Sequence, residues 1–246
     1  MFDSVSVSEQ SIWLVIALFY VLDNVKQLPG NQLIFHETWK LNWRAAVPSD
    51  TLVFLNKQIF LLNILLPHTL TIPLEWLTAE PYNASRIRRA DRLLRVARRK
   101  IFSFRCISVI SFFAFFVEGP ILTHWRGLTF ALLHIAPIYA GALIMLLFSF
   151  LSDRRFWQLS ATQAIAATFE ATICPAYLVN ITHRVSWKYI RVNADGGAYS
   201  LLRCRSSSIE DLKSALSFAL EEIEQKVAYD PRERDRLIAY RESILR

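Results

Sequence analysis

Two long apolar runs lie between residues 101 and 152, separated by Thr123-His124-Trp125-Arg126-Gly127. Each run exceeds the roughly 20 apolar residues with which a helix crosses about 30 Å of hydrocarbon. Because a short connector makes two helices antiparallel neighbours, the pattern predicts a transmembrane helical hairpin over residues 101–152.

A shorter apolar segment at residues 5–25 predicts a marginal N-terminal membrane helix within residues 1–28. No Lys or Arg precedes it and no small-residue cleavage site follows it, so we interpret it as retained and not as a signal peptide. The alternative for this segment is a helix that lies in the membrane interface or covers the core of the next segment.

Residues 29–82 consist of short runs rich in β-branched and aromatic residues, punctuated by turn formers. This sequence pattern is typical of strands and predicts a small β-meander. The strand that contains Pro73 is expected at an edge, because proline cannot donate a ladder hydrogen bond. The expected strands are 33–35, 39–46, 51–55, 59–66 and 69–76.

Residues 83–100 combine apolar positions at helical spacing with a dense basic face, which predicts an amphipathic helix that continues into the hairpin. No aromatic residue lies between 83 and 100, so a nucleic-acid interface lacks groups to stack on bases. We expect contact with anionic lipid instead, at about 1 kcal/mol per basic residue near the surface. The expected contact residues are Arg88, Arg89, Arg92, Arg95, Arg98, Arg99 and Lys100.

Basic residues flank residue 101 and follow residue 152, whereas the connector between the two runs holds only Arg126. By the positive-inside rule, the connector faces outward and both flanks face the cytoplasm. We therefore expect a multi-pass protein of the cell membrane whose soluble parts are mostly cytoplasmic. Short loops and arginine usage suggest the bacterial inner membrane.

Residues 153–182 predict a helix that lies at the interface or packs on the hairpin and ends before Cys174-Pro175. A fourth span here would carry the basic downstream region outside, against the positive-inside rule. Whether residues 5–25 and 156–182 span the membrane stays open at this point.

Residues 183–246 predict a cytoplasmic β-hairpin and two amphipathic helices. The strands 185–192 and 198–205 flank Asp195-Gly196-Gly197, a tight-turn sequence, and the helices begin near Ser207 and Pro231. We expect these elements to pack with the β-meander as one cytoplasmic unit, which makes the fold class an integral membrane α+β protein.

Composition agrees with this class, since 53% of the 246 residues are hydrophobic and only 20% are charged. The formal charge of +7 suits a cytoplasmic lipid surface as well as nucleic acid, and the position of the basic residues favours lipid. Three widely separated cysteines make a disulfide framework unfavourable. No nucleotide or cofactor motif is present in the sequence, and we expect no cofactor and no nucleic-acid partner.

Ionisable residues at membrane depth are the candidate catalytic residues, namely Glu118, His124 and His134. Glu118 and His134 both lie within about three helical turns of the connector, so they can face each other across the hairpin. A proton relay is conceivable, whereas a stable metal site needs three or four ligands and a second shell, and we expect none. We favour the simpler interpretation, in which Glu118 lies at the interface and is hydrated, and His134 bonds a carbonyl group or faces a partner helix.

Two functions follow from these patterns. The first is a non-enzymatic scaffold or assembly factor that binds a protein partner, or a second copy of itself, through the cytoplasmic unit. The second is a membrane enzyme or transport subunit in which Glu118, with His124 or His134, handles a proton or a lipid-linked substrate.

Overall fold

The structure, a computed structural model, describes residues 7–28, 32–38, 43–46, 52–54, 57–75 and 84–190. The described residues are mostly helical, and they belong to two units. The first unit takes in residues 7–25, 62–70 and 96–190, and the second the described residues of 26–61 and 71–95. The predicted strand 198–205 and the two helices after Ser207 lie outside the described residues.

Two helices of the first unit are long and apolar enough to cross a membrane. The first is continuous over 25 residues, through α3 (Phe102–Phe113), a π-helix (Ala114–Glu118) and α4 (Gly119–Arg126). The second is α5 (Leu128–Ser152). The predicted five-residue connector is wrong, because α4 continues to Arg126 and only Gly127 breaks the helix, with a φ of 85° that glycine adopts without strain.

The π-helix follows from the sequence Gly119-Pro120. Proline has no N–H, and its ring collides with the carbonyl group four residues earlier, so an ordinary helical turn cannot form there. The N–H of Gly119 instead bonds to the carbonyl oxygen of Ala114, five residues back. This wider turn sets the direction in which the Glu118 side chain projects from the helix.

Helix α1 (Val7–Asn24) packs against the π-helix and α4. Nε1 of Trp13 donates to Oγ1 of Thr123 at 2.9 Å, and the Trp13 ring lies directly against Gly119. Further along, the rings of Tyr20 and Phe116 lie 5.0 Å apart. The glycine thus permits α1 to approach α4 as closely as it does.

The chain then forms α6 (Arg154–Trp157), α7 (Ala161–Ile173), α8 (Pro175–Val179) and α9 (Ile181–Tyr189). A capping box between Ser160 and Gln163 begins α7, and the residue before Pro175 is extended, which ends it. The end of α7 contacts Tyr139, halfway along α5, whereas Tyr189 contacts Phe150 near the end of α5. Helices α7 to α9 therefore form a hairpin. Helix α7 runs back from the C-terminal end of α5 to its middle, and α8 and α9 return the chain to the C-terminal end of α5.

The predicted strand 185–192 is wrong over residues 185–189, which belong to α9. The sequence there is rich in residues that favour strands, but Ile181, Val185 and Ser186 are buried at helical spacing against the rest of the unit. Tertiary burial thus overrides local β propensity.

The described residues of the second unit, together with Val25, form six strands: β1 (Val25–Leu28), β2 (Gln32–Glu37), β3 (Trp43–Ala46), β4 (Leu52–Phe54), β5 (Lys57–Leu61) and β6 (Thr71–Glu75). They form two three-stranded sheets with the orders β1-β5-β4 and β3-β2-β6, so the predicted single meander is wrong. Pairing of β2 with the distant β6 buries Phe35 and Ile72 completely. Strand β6 is an edge strand, as Pro73 requires.

The segment after β5 was expected to continue as a strand to residue 66. It instead leaves the sheet and joins the first unit, where the Tyr20 hydroxyl donates to the carbonyl oxygen of Ile64 at 2.5 Å. The N–H of Leu62 donates to the carbonyl oxygen of Asn24, which closes the end of α1.

Candidate functional site

Glu118 and His134 lie side by side across the helical pair. The π-helix ends at Glu118, and His134 lies in the second turn of α5. Oε1 of Glu118 lies 2.8 Å from Nε2 of His134, and the two side chains are 39% and 49% exposed. The pair can share or exchange a proton, and it faces the outside of the unit instead of a closed interior.

His124 lies away from this pair. It is an exposed residue of α4, six positions after Glu118, and that spacing places it on another face of the helix. Within the described residues, no group of three or more His, Cys, Asp or Glu side chains is arranged to hold a metal ion. Among the described residues of this region, proton exchange between Glu118 and His134 is therefore the chemistry that the geometry allows.

A second polar group is built around Arg184 of α9. Its Nη1 donates to Oδ1 of Asp23 in α1 at 2.9 Å, and its Nη2 donates to Oε2 of Glu170 in α7 at 3.0 Å. The guanidinium also lies 3.8 Å from the centre of the Tyr177 ring, in a cation–π contact. Arg184 thus joins α9 to α7 and to α1, whose Asp23 lies 161 positions earlier in the sequence.

Asn180, between α8 and α9, links this group to the end of α1. Its Nδ2 donates to Oδ2 of Asp23 at 3.0 Å and to the carbonyl oxygen of Tyr20 at 3.3 Å. Nδ2 of Asn24 donates to the same carbonyl oxygen at 2.8 Å. Both asparagines are buried, so these bonds fix where α1 ends relative to the break between α8 and α9.

The tip of the α7–α9 hairpin is held by Tyr139 of α5. Its hydroxyl group lies 2.6 Å from the carbonyl oxygen of Ala171 and 2.9 Å from that of Thr172. These carbonyl groups are in the last turn of α7, where no helical N–H follows to bond them. Tyr139 is therefore the C-terminal cap of α7, supplied by another helix.

Replacing Tyr139 with Phe removes this cap but keeps the ring that packs on Phe115. We expect the free energy of unfolding to fall by about 1–2 kcal/mol, because a partly buried carbonyl group loses its donor. Thermal unfolding of the purified chain in mild detergent measures the change. Tyr189→Phe is the matched control: Tyr189 contacts Phe150 through its ring, and little change is expected. Equal stability of both variants would contradict the capping role.

The predicted basic helix is α2 (Ala84–Lys100). Ala90, Leu94 and Ala97 are buried, and hydrogen bonding continues through Ile101 into α3 without a gap. The Lys100 ammonium group pairs with Asp153 at the far end of α5. The expected lipid-contact residues are exposed at Arg88, Arg89, Arg92, Arg95, Arg99 and Lys100 and half-buried at Arg98.

The residues around Arg184 were not predicted as a site. Asp23 and Arg184 are 161 positions apart, and only the complete fold brings them together. A usable signal was present, because Asp23 and Glu170 are isolated carboxylates in apolar segments.

Comparison with known proteins yields no family. No family model matches the chain, and no match was found among curated proteins or solved structures. What the two polar groups can do follows from their own geometry, charge and surroundings.

Proposed function

We propose that the chain is a multi-pass membrane protein that acts as a non-enzymatic scaffold or assembly factor through its cytoplasmic part. The observation that carries this proposal is the distribution of polarity in the first unit. Large apolar side chains lie on its outside, while Ser108, Asn180 and Thr182 lie buried inside. A protein surrounded by water rarely exposes so many large apolar side chains together.

Helix α5 supports the membrane part of the proposal most directly. Its apolar residues lie on all sides, which is typical of a buried core helix or of a membrane span. Only 22% of its most apolar segment is buried inside the protein, so it is not a core helix. Leu133, Ile144 and Phe148 are each at least 70% exposed and would contact lipid.

The outward apolar surface extends to α1 and α7. Leu14 and Leu18 of α1, and Phe169 and Ile173 of α7, are all more than half exposed. We infer that α1 is embedded beside the hairpin, and that α7 to α9 enter the membrane and return on the same side. This arrangement keeps the chain after residue 190 on the side of the basic residues.

The scaffold role is supported by the division of the chain into two units. The first unit exposes large apolar side chains, and the second is a β-rich unit that includes residues 84–95 of the basic helix α2. In this proposal the helices anchor the chain, and the cytoplasmic unit binds a protein partner.

Membrane embedding predicts that the chain resists extraction by alkaline carbonate and by high salt, and is released only by detergent. Salt alone removes a protein that is held to lipid by charge, because it screens the attraction. Release of the full chain by carbonate would contradict embedding and, with it, the scaffold proposal in this form.

Helix α2 is proposed to contact anionic lipid head groups. Replacing Arg92, Arg95 and Arg99 with Gln removes three exposed charges, each worth about 1 kcal/mol near an anionic surface. We expect phosphatidylglycerol to stabilise the wild-type chain against heating more than it stabilises this variant. Phosphatidylcholine is the control and should affect both chains alike. An equal effect of phosphatidylglycerol on both chains would contradict the lipid contact.

A membrane enzyme or transport subunit is the second candidate, and the contact between Glu118 and His134 favours it. Glu118→Gln keeps the size of the side chain but removes its ability to hold a proton reversibly. In a deletion strain with a measurable phenotype, the scaffold role predicts full complementation by this variant at normal membrane levels. Loss of complementation would overturn the pure scaffold role and support proton handling by the pair.

A further inference from the structure

The contact between Glu118 and His134 uses only half of the polar atoms of these two side chains. It joins Oε1 of Glu118 to Nε2 of His134, and the described residues provide no other polar contact to either side chain. Oε2 of Glu118 and Nδ1 of His134 therefore remain available. A carboxylate oxygen accepts hydrogen bonds, and an imidazole nitrogen donates or accepts according to where its proton lies.

The surface around this contact is apolar. Ile121, one turn after Glu118, is 45% exposed, and Phe130, one turn before His134, is 48% exposed. The Phe130 ring lies parallel to the His134 ring, with the two centres 6.4 Å apart. Leu133, beside His134, is 71% exposed. Glu118 and His134 thus form one polar place on an outward surface of large apolar side chains.

The contact also lies well below the Gly127 end of the two long helices. Glu118 is nine residues before Gly127 and His134 is seven after it, which places them about 14 and 11 Å along their helices. A helix of 25 residues is about 37 Å long and exceeds the hydrocarbon layer, of about 30 Å, by only a few ångströms at each end. In the membrane embedding proposed above, on which this inference rests, the contact lies among lipid chains, which supply no hydrogen-bonding group.

A second copy of the chain has the groups that match this contact. Two copies inserted in the same direction can be related by a half-turn about the membrane normal, which is the symmetry of the commonest dimers. Such a half-turn exchanges left and right on a facing surface but keeps depth unchanged. Because Glu118 and His134 lie side by side, it brings Glu118 of each copy opposite His134 of the other.

We propose that the surface formed by Glu118, Ile121, Phe130 and His134 binds the same surface of a second copy within the membrane. Oε2 of each Glu118 then contacts Nδ1 of the other copy's His134, so the four side chains form a closed ring. The ring pairs the atoms that a single chain leaves available, and the apolar residues around it keep it away from lipid. This self-association adds a membrane interface to the cytoplasmic one of the scaffold proposal.

The test uses two differently tagged copies of the full-length chain, expressed together. One tag is captured in mild detergent and the amount of the other is measured. Glu118→Leu and His134→Leu each remove both contacts between copies, so each should weaken association by about tenfold or more. His124→Leu is the matched control: His124 is exposed on another face of α4, and association should stay unchanged. Glu118→Gln should remain associated, because its amide also donates and accepts.

Mixing the two variants separates a contact between copies from a contact within one chain. A dimer of one Glu118→Leu chain and one His134→Leu chain keeps one Glu118 opposite one His134 and places two leucines opposite each other. Each variant should therefore capture the other better than it captures itself, and this recovery also shows that both variant chains fold. Equal capture in the mixed and unmixed samples would overturn the proposal.

The wild-type chain separates this inference from the embedding on which it rests. We expect co-capture of the two tagged wild-type copies from membranes that have been washed with alkaline carbonate. Chain that stays in the washed membranes but shows no co-capture would overturn the dimer and leave the embedding in place. Release of the chain by carbonate would overturn both.

Discussion

Gly119→Ala is expected to lower the stability of the helical unit, although alanine normally favours a helix. A Cβ atom at position 119 would lie 2.5 Å from the Trp13 ring, closer than atoms can approach. The ring cannot simply move away, because it is buried and its Nε1 bonds Thr123. Overpacking of this kind costs about 1–3 kcal/mol, which exceeds the gain in helix propensity of about 1 kcal/mol.

Thermal unfolding in mild detergent, followed by circular dichroism, measures this effect. The matched control is Gly141→Ala, in the middle of α5, where an added Cβ meets nothing within 4 Å. That variant should be neutral or more stable, since alanine restricts the unfolded chain. If Gly119→Ala unfolds at the same temperature as Gly141→Ala, the close packing of α1 on α4 is contradicted.

Arg184→Met is expected to have the largest effect of a single substitution on the helical unit. It removes from Asp23, which is 12% exposed, the guanidinium group that bonds its carboxylate. Removing one partner of a fully buried ion pair costs about 3–5 kcal/mol, and we expect about 2–3 kcal/mol because Arg184 is itself 28% exposed. The free energy of unfolding in detergent and urea measures the loss.

A second substitution separates charge from packing. Asp23→Asn in the Arg184→Met chain removes the carboxylate that has lost the Arg184 guanidinium group, so it should restore part of the lost stability. Lys188→Met is the control for loss of a basic residue from α9, and it should change stability by less than about 0.5 kcal/mol because Lys188 is exposed. No restoration by Asp23→Asn would contradict the ionic contact between Asp23 and Arg184.

The two long apolar helices were predictable because their signal is local. Each is a long, predominantly apolar run, and no distant residue is needed to recognise it. The length of the connector was not predictable in this way. Thr123 and Arg126 are polar residues that occur equally well in a connector or in the last turn of a helix, and the positive φ of Gly127 alone makes the turn.

The strands show the same limit. The segments around Phe35, Phe54 and Ile72 were located from composition, but sheet order depends on pairing between segments that are far apart. Strand β2 pairs with β6, which lies at the other end of the β-rich segment, and no local sequence pattern identifies β6 as its partner. The prediction of a meander assumed that neighbours in sequence are neighbours in the sheet.

The candidate sites divide in a similar way. The contact between Glu118 and His134 was foreseeable, because both residues lie at similar distances from one tight connector. The group around Arg184 was not, because it requires α1, α7 and α9 to be assembled first. Isolated charges in apolar segments, such as Glu170, are the sequence signal that should be given more weight in such chains.

We propose that the helical unit is embedded in the membrane with its Gly127 end outside and with both ends of the α7–α9 hairpin facing the cytoplasm. Single cysteines at Arg126, Ser160 and Lys188, all exposed, test it in a chain whose three native cysteines are replaced. A membrane-impermeant maleimide should label position 126 in intact cells, and positions 160 and 188 only after the cells are opened. Labelling of 160 and 188 from opposite sides, or of 126 only in opened cells, would contradict the account.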